Sequence, residues 1–395
     1  MITFNCKLLQ PLLAAVVMGF SAPLLAIDLL ELPAVQSKSA SRALLLDVTA
    51  RGEHSLAAAG TFGVIIISED NGKSWTQASV PASVTLTGIH FPTPEKGWAV
   101  GHDGLILHSG DGGLTWEKQL DGHQLNEQIV TVAERIVEQV RTERDALQAQ
   151  EEPDEYELDD AEFMLEEAEF MLEGALDDTA AGPVRPLLDV WFRDENEGFV
   201  TGSYGMLLHT QNGGQNWELV SDRMDNPEAF HLNQIVPAPD GTLYIAGESG
   251  YVFRSSDSGK SWDSLEPGYE GSFYGLVVVP DAGGDYELLV YGLRGNLFRS
   301  SDTGETWESI DSGTTVTLMN GALLDDGTVF LAGQGGTILT RDPGQQSFTP
   351  ARNPDRRPIL GLKQTEDDRV LIVGLGGIRM ADTDGLPLAT PAEEQ

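Results

Sequence analysis

The sequence predicts an all-β fold, a seven-bladed β-propeller, with an inserted α-helical hairpin. Two repeated motifs and one gap in their spacing support this prediction. The first motif is Ser/Thr-x-Asp/Asn-x-Gly-x-x-Trp, and its tryptophans are 41, 101, 45 and 45 residues apart. A repeat of about 40–45 residues in a chain of short apolar runs is typical of propeller blades.

The first motif, here called the box, has five complete copies and one degenerate copy. They span Ser68–Trp75, Ser109–Trp116, Thr210–Trp217, Ser255–Trp262, Ser300–Trp307 and, in degenerate form, Thr340–Phe348. Short Ser, Thr and Asp side chains can bond backbone groups within a turn, and glycine adopts angles that a Cβ forbids. We therefore assign a structural role to Asp70, Trp75, Asp111, Trp116, Asn212, Trp217, Asp257, Trp262, Asp302 and Trp307.

The second motif is a Gly-x-x-Gly turn that follows a short apolar strand, and it occurs seven times. The turns are Gly60–Gly63, Gly101–Gly104, Gly202–Gly205, Gly247–Gly250, Gly292–Gly295, Gly333–Gly336 and Gly374–Gly377. Runs of four to eight apolar or β-branched residues between turns indicate strands. We expect blades one and two in residues 27–121 and blades three to seven in residues 183–395.

Closure of the ring requires a strand at the outer edge of the seventh blade, because an open sheet edge is a liability. Two segments can supply this strand, the C-terminal Leu386–Thr390 and the N-terminal Leu29–Val35. We favour an N-terminal closing strand.

The 101-residue gap between Trp116 and Trp217 contains an insertion, residues 122–182. Apolar residues spaced by three and four, from Leu125 to Val140, predict one helix. After Pro153, a second helix carries a duplicated heptad, Ala161–Glu167 followed by Ala168–Gly174. We expect the two helices to form an antiparallel hairpin.

The second helix is apolar over a wider arc than one partner helix covers, because Phe163, Met164, Phe170 and Met171 extend the stripe. The insertion also contains 19 acidic residues and three arginines. Either the propeller buries these four side chains or another protein docks on them, and both alternatives stay open. Disorder is a third alternative, which the strong apolar periodicity disfavours.

The N-terminal residues have the pattern of a signal peptide, residues 1–26, with Lys7 before an apolar run and cleavage at Ala26. A retained membrane anchor is the alternative, although two prolines interrupt the run. Cleavage would remove Cys6, the only cysteine, and would place the mature protein in the periplasm. The protein would then associate with the inner membrane only through its partner.

Acidic residues outnumber basic residues 62 to 24, for a net charge of −38. Such a surface repels nucleic acid and anionic lipid, so we expect no nucleic acid and no direct lipid binding. A basic or apolar protein surface is the better partner. The boxes lack the carboxylates of a calcium loop, and we expect no metal and no cofactor.

Several segments, such as "KGWAVGHDGLILHS" at Lys96–Ser109 and "SSDTGETW" at Ser300–Trp307, resemble those of a known family. This is the photosystem II stability/assembly factor-like family of Asp-box (BNR-repeat) β-propellers. The resemblance covers about Leu44–Asp382 apart from the insertion, and we interpret the chain as a bacterial, non-photosynthetic member. It implies a non-enzymatic periplasmic or lumenal factor that binds membrane-protein subunits during assembly.

In a four-stranded blade, the Gly-x-x-Gly turns and the connections between blades lie on the same face, so the hairpin should overhang this rim. Loops at one end of a rigid scaffold often bind partners. We therefore predict a docking face made of Phe62, His102, Asp103, Tyr204, Glu248, Arg294 and Gln334 on the rim and Phe163, Met164, Phe170 and Met171 on the hairpin. The predicted function is an assembly factor or accessory subunit of an envelope membrane-protein complex, for example a transporter.

A glycan-binding or sialidase-like glycoside hydrolase propeller is the alternative function. A sialidase requires three arginines around a carboxylate, together with a Tyr–Glu pair and an acid. Tyr204, Glu248 and Asp103 can be assigned to the last three roles, but Arg294 is the only arginine among the turn residues. Without guanidinium clamps an anionic sugar has no counter-charge here, and we expect no enzyme.

Overall fold

The structure, a computed structural model, describes residues 28–151 and 154–388. The predicted signal peptide, residues 1–26, lies outside the described residues. The described chain forms seven four-stranded antiparallel sheets and two long helices. The prediction of a seven-bladed β-propeller with an inserted helical hairpin is therefore confirmed.

Each blade is a meander in which consecutive strands pair, from the channel outward. The strands of blades one to three are β1 (Leu45–Ala50), β2 (Leu56–Gly60), β3 (Ile65–Ser68), β4 (Thr76–Gln77), β5 (Leu86–His90), β6 (Gly97–Gly101), β7 (Ile106–Ser109), β8 (Glu117–Leu120), β9 (Leu187–Phe192), β10 (Gly198–Gly202), β11 (Leu207–Thr210) and β12 (Glu218–Leu219). The strands of blades four to seven are β13 (Leu232–Pro237), β14 (Leu243–Gly247), β15 (Val252–Ser255), β16 (Asp263–Leu265), β17 (Phe273–Pro280), β18 (Tyr286–Gly292), β19 (Leu297–Ser300), β20 (Glu308–Ile310), β21 (Leu318–Leu323), β22 (Val329–Gly333), β23 (Thr337–Arg341), β24 (Thr349–Arg352), β25 (Ile359–Gln364), β26 (Val370–Gly374), β27 (Arg379–Ala381) and β28 (Pro387–Leu388).

The core of the ring lies between neighbouring blades. Six of the seven second strands are buried along their whole length. Trp98 of blade two stacks on Phe192 of blade three with ring centroids 3.7 Å apart, and Trp262 packs edge-on against Phe199 of the preceding blade. Apolar contact between the blade faces, rather than hydrogen bonding, therefore supplies most of the stabilisation of the ring.

Polar side chains on the innermost strands join blades around the channel. Asp47 accepts the Ile89 N–H of the next blade at 2.9 Å, and Asp189 accepts the Ile235 N–H at 2.9 Å. Gln234 accepts the N–H of Leu276 in the same way, at 3.0 Å. These side chains satisfy backbone groups that the first strands leave unpaired where they line the channel.

The expectation of an N-terminal closing strand is wrong. The C-terminal strand β28 pairs with β27 and completes the seventh blade. The N-terminal segment instead runs beside residues 78–83, where the Ala34 N–H donates to Val80 O at 3.0 Å and Leu30 is fully buried between blades one and two. The ring closes because the faces of blades one and seven pack against each other. In addition, the Ile378 N–H donates to Ser41 O at 3.0 Å.

The insertion forms α1 (Gly122–Gln148) and α2 (Glu155–Ala181). Asp121 caps α1 through a capping box with Gln124, and Asp154 caps α2. Leu165 and Ala168 of α2 pack against Val137 of α1, as the heptad pattern predicts. None of the helices in the described part of the chain combines the length and apolar character that a membrane crossing requires.

The hairpin is attached to the propeller at its base. Leu125 is fully buried in the core between blades two and three, and Asn126 donates to Gly182 O at 3.1 Å. Gly122 lies against the second Gly-x-x-Gly turn, where a Cβ would come 2.4 Å from Asp103 O. The hairpin therefore starts on the predicted face, but α1 then lines a groove beside β12 at the outer edge of blade three. These contacts join the hairpin to blades two and three.

Candidate functional site

The tips of the Gly-x-x-Gly turns carry residues in the left-handed backbone region. Phe62, Asp103, Tyr204, Ser249 and Arg294 have φ values of 60°, 57°, 55°, 53° and 58°. This conformation costs a side-chain-bearing residue about 1 kcal/mol or more, and such strain is concentrated at functional sites. The rim therefore presents side chains of mixed chemistry on tightly fixed turns.

The predicted rim residues do not form one cluster. Phe62, Arg294 and Gln334 lie in the turns of blades one, five and six, while His102 and Asp103 lie in the turn that supports the hairpin. Burial raises the pKa of Asp103, an effect that nearby His102 opposes. Only Tyr204 and Glu248, on adjacent blades, are brought together by the structure.

Tyr204 and Glu248 belong to a cluster that connects the rim to the hairpin. His231 lies between them: its backbone N–H donates to Glu248 Oε2 at 3.3 Å, and its Nδ1 accepts the Tyr204 N–H at 3.2 Å. The Arg185 guanidinium covers the Tyr204 ring, 5.4 Å from its centroid, and its Nε donates to Asp178 of α2 at 3.1 Å. Aromatic and arginine side chains in such an arrangement are typical binding anchors.

Sequence reasoning missed Arg185 and His231. Neither residue belongs to the docking face predicted from the sequence. A usable signal for Arg185 is its position three residues after the end of the insertion, where the chain returns to the rim. For His231 no such signal exists, because its partner Tyr204 comes from the preceding blade.

The outward face of α2 carries an unpartnered apolar stripe. Phe163, Met164, Phe170 and Met171 are 58%, 50%, 72% and 52% exposed. The side of α2 that faces α1 consists of other residues, such as Leu165. The alternative in which the propeller buries the four side chains is therefore wrong for this structure.

The boxes lie on the opposite face and use their polar groups internally. In the first box, the Ser68 hydroxyl donates to Asp70 at 2.9 Å, and the Ser74 N–H and hydroxyl donate to the same carboxylate at 2.8 and 2.6 Å. The Trp75 indole N–H donates to Gly72 O at 3.1 Å. Boxes two and five repeat this pattern.

The same hydrogen bonds set the acidity of the box carboxylates. The hydroxyl and N–H of Thr306 and the hydroxyl of Ser300 donate to Asp302 and lower its pKa to about 2. Within residues 28–151 and 154–388, one exposed trio, Glu53, His54 and Glu366, has the spacing of a metal site, and it contains no box residue. Both oxygens of each box carboxylate in the repeated pattern accept hydrogen bonds, which suits a turn-stabilising role.

Boxes three and four depart from the pattern. In box four the Gly259 carbonyl accepts the Arg223 guanidinium at 3.3 Å, and the Trp262 indole N–H has no partner among the described residues. In box three the Trp217 indole N–H donates to Gln119 at 3.3 Å. Arg223 thus takes the place of the indole N–H in box four, and Gln119 takes the place of the glycine carbonyl in box three. Both side chains line the groove between β12 and α1.

Comparison with known protein families identifies a matching family model. The family model for the photosynthesis system II assembly factor YCF48 matches residues 74–136 and 180–387. The unmatched residues between these two segments, 137–179, belong to the hairpin, whereas the first half of α1 lies within the match.

Two curated relatives match a short part of the chain. The photosystem II assembly lipoprotein Ycf48 of Synechococcus sp. (strain CC9902) is 36% identical over 89 residues, which are 22% of this chain and 25% of the relative. The chloroplastic photosystem II stability/assembly factor HCF136 of Oryza sativa subsp. japonica is 34% identical over 68 residues, 17% of this chain and 16% of the relative. The match spans a quarter or less of the length of these relatives.

Solved structures resemble the fold over most of the chain. A structure described as YCF48 bound to D1 peptide has a TM-score of 0.58 at 15% identity and covers 90% of this chain and 98% of its own. The WD40 β-propeller domain of Doa1 has a TM-score of 0.55 at 11% identity and covers 89% and 95%. At these identities the likeness concerns the propeller fold alone. Because the family model matches well over half of the chain, the protein belongs to the family of the photosynthesis system II assembly factor YCF48.

Proposed function

We propose that this protein is a non-enzymatic assembly or stability factor, or an accessory subunit, of an envelope membrane-protein complex. It acts by protein–protein contacts. The apolar stripe of α2, four large side chains at least half exposed on a rigidly based hairpin, is the observation that carries the proposal. Family membership supports the assembly role, since the family is named for one.

The stripe has the composition of an interface anchor. Phe163 and Phe170 are one heptad apart, and Met164 and Met171 lie beside them with the same spacing. Aromatic side chains supply large contact areas, and methionine adapts to irregular partner surfaces. Exposed apolar residues in such a row on a soluble surface mark interaction sites.

The surroundings of the stripe define the chemistry of the partner. Acidic side chains such as Glu162, Glu166 and Glu169 flank it, and the insertion carries 19 acids against three arginines. These charges would steer a basic partner and set its orientation, while the apolar anchors supply most of the affinity. The partner surface is therefore an apolar patch bordered by Lys and Arg.

The Arg185–Tyr204–His231 cluster extends this surface onto the rim. The cluster lies at the C-terminal end of α2, through Asp178, and Phe170 is eight residues away, or about 12 Å along the helix. One partner of ordinary interface size can cover both. Of the other predicted rim residues, Phe62, Arg294 and Gln334 lie farther around the ring and are peripheral to this contact.

Export and membrane association belong to the same proposal. The N-terminal residues 1–26 have a signal-peptide pattern, and two curated relatives are described as lipoproteins. One solved relative is bound to a peptide, D1, which supports a polypeptide partner for the family. The periplasm is the compartment that fits these observations.

The test replaces the two aromatic anchors. A tagged Phe163→Glu/Phe170→Glu variant should lose the partners that the wild type recovers from detergent-solubilised envelope membranes, measured by quantitative mass spectrometry. The matched control is Gln139→Glu/Thr142→Glu, which adds two charges at exposed positions of α1. Recovery of the same partners by the folded Phe variant would show that the stripe is not the docking surface.

A further inference from the structure

The outer edges of two blades are covered by the chain that connects them to the preceding blade. Ser79 donates its N–H to Leu114 O at 2.9 Å and accepts the N–H of the box residue Trp116 at 3.0 Å. At the fourth blade, the box residue Trp262 donates its N–H to Arg223 O at 3.0 Å. Both contacts form parallel bridges; the connecting segment is extended at Ser79, while at the fourth blade Arg223 ends a short 3-10 helix and the chain is extended from Met224.

The third blade has no such connecting segment, because the chain leaves blade two and enters α1 at Gly122. The Trp217 N–H, which corresponds to those of Trp116 and Trp262, makes no hydrogen bond within residues 28–151 and 154–388. Residues 215–217 line a groove of about 800 Å³ between β12 and α1. The connecting segments of blades two and four contact the box residues that correspond to these.

The walls of the groove suit a polypeptide backbone. One face of α1 contributes the side-chain amides of Gln124 and Gln128 and the hydroxyl of Thr131. Val132 and Leu219 add an apolar contact. An extended chain carries one donor and one acceptor per residue, and amide and hydroxyl side chains can pair with either.

We propose that this groove binds an extended segment of a partner polypeptide, which adds to the outer edge of the third blade in parallel. The bound segment accepts the Trp217 N–H and donates to Gln215 O, as Ser79 does with the corresponding groups of blade two. Addition of a strand to an open sheet edge is a common mode of peptide recognition, in which main-chain hydrogen bonds supply the affinity. The site is independent of the apolar stripe, because no stripe residue lines the groove.

Two threonines of α1, one in the groove and one outside it, provide a test variant and its matched control. Thr131 and Thr142 are both exposed, and each hydroxyl donates to the carbonyl four residues earlier at 2.8 Å. Thr131 lines the groove and Thr142 does not. Thr131→Trp therefore fills the groove, while Thr142→Trp makes the same change outside it.

The probe is a phage-displayed library of random peptides of about 12 residues, which extend to ~40 Å at ~3.3 Å per residue. Peptides enriched on the full-length wild type are synthesised, and their affinities for the wild type and both variants are measured by calorimetry. We expect equal binding to the wild type and Thr142→Trp, and binding weaker by about tenfold or more to Thr131→Trp, the loss of roughly one to two hydrogen bonds. Amide exchange at residues 215–219, followed by mass spectrometry, should slow when peptide binds.

Three results would overturn the proposal. They are a library without enrichment, binding that Thr131→Trp leaves unchanged, and exchange at residues 215–219 that peptide does not slow. A wild type that dimerises in solution and becomes monomeric with Thr131→Trp would identify a second copy of the chain as the occupant instead. If Thr131→Trp unfolds, Gln128→Lys replaces it in the same assay. The Phe163→Glu/Phe170→Glu variant should bind these peptides like the wild type, so failure of the proposed function and failure of the groove are distinguishable.

Discussion

At the residue scale, position within the ring decides the acidity of chemically identical side chains. The box residue Asp302 has a pKa of about 2 because hydroxyl and N–H groups donate to it in an exposed turn. Asp189, on the channel wall, has its pKa raised to about 8, because burial and the nearby Asp47 outweigh two backbone hydrogen bonds. The box motif predicts the environment of Asp302. No sequence motif around Asp189 indicates that its carboxylate is buried.

Asp189 should make stability depend on pH. Its folded-state pKa lies above the unfolded value of 3.8, so the folded state binds the proton more tightly. The resulting stabilisation is fully present below about pH 4 and is lost as the pH rises towards about 8. The free energy of unfolding of the wild type should therefore fall relative to that of Asp189→Asn over this range, measured by urea denaturation.

The control for this prediction is Asp159→Asn, an exposed change on α2. Its profile should run parallel to that of the wild type. Parallel profiles for Asp189→Asn and the wild type would mean that the channel carboxylate titrates normally.

At the element scale, the base of the hairpin belongs to the propeller and its distal part does not. Leu125 lies in the core between blades two and three, while Phe163 and Phe170 are exposed. Removal of all of residues 122–182 would therefore open that core. The helical periodicity gives no indication of where along α1 the contact with the propeller ends.

A shortened hairpin separates these two parts. Replacement of residues 134–171 by a short Gly/Ser linker keeps Leu125, Asn126 and Ile129 and should leave the thermal midpoint of the propeller close to that of the wild type. Leu125→Ala in the full chain should cost about 2–5 kcal/mol, because it leaves a cavity between two blades. A large loss of stability in the shortened variant would show that the distal hairpin also supports the propeller.

At the scale of the whole molecule, the N-terminal segment acts as a strap across blades one and two and does not close the ring. Leu30→Ala should therefore destabilise the protein by about 2–5 kcal/mol. Leu388→Ala, in the exposed closing strand β28, should change stability by only about 0.5 kcal/mol. Urea denaturation of both variants tests this, and equal effects would contradict the strap.

Sequence alone determined the features that are local and periodic. The glycine-rich turns, the boxes and the heptads require particular backbone angles and spacings, so blade number, strand order and the hairpin could be predicted from residues such as Gly60, Trp75 and Leu165. These requirements act within a few residues of the chain, and each is visible in several copies because the sequence repeats.

Tertiary structure alone decided which distant residues meet. The apolar N-terminal run around Leu30 fits a closing strand as well as a strap, and only the space between blades one and two selects the strap. The Arg185–Tyr204–His231 cluster and the groove beside Trp217 likewise depend on where α1 leaves the ring and how blades three and four pack. The physical reason is that burial and packing act between surfaces of different blades, and neither is encoded in the spacing of residues along one segment.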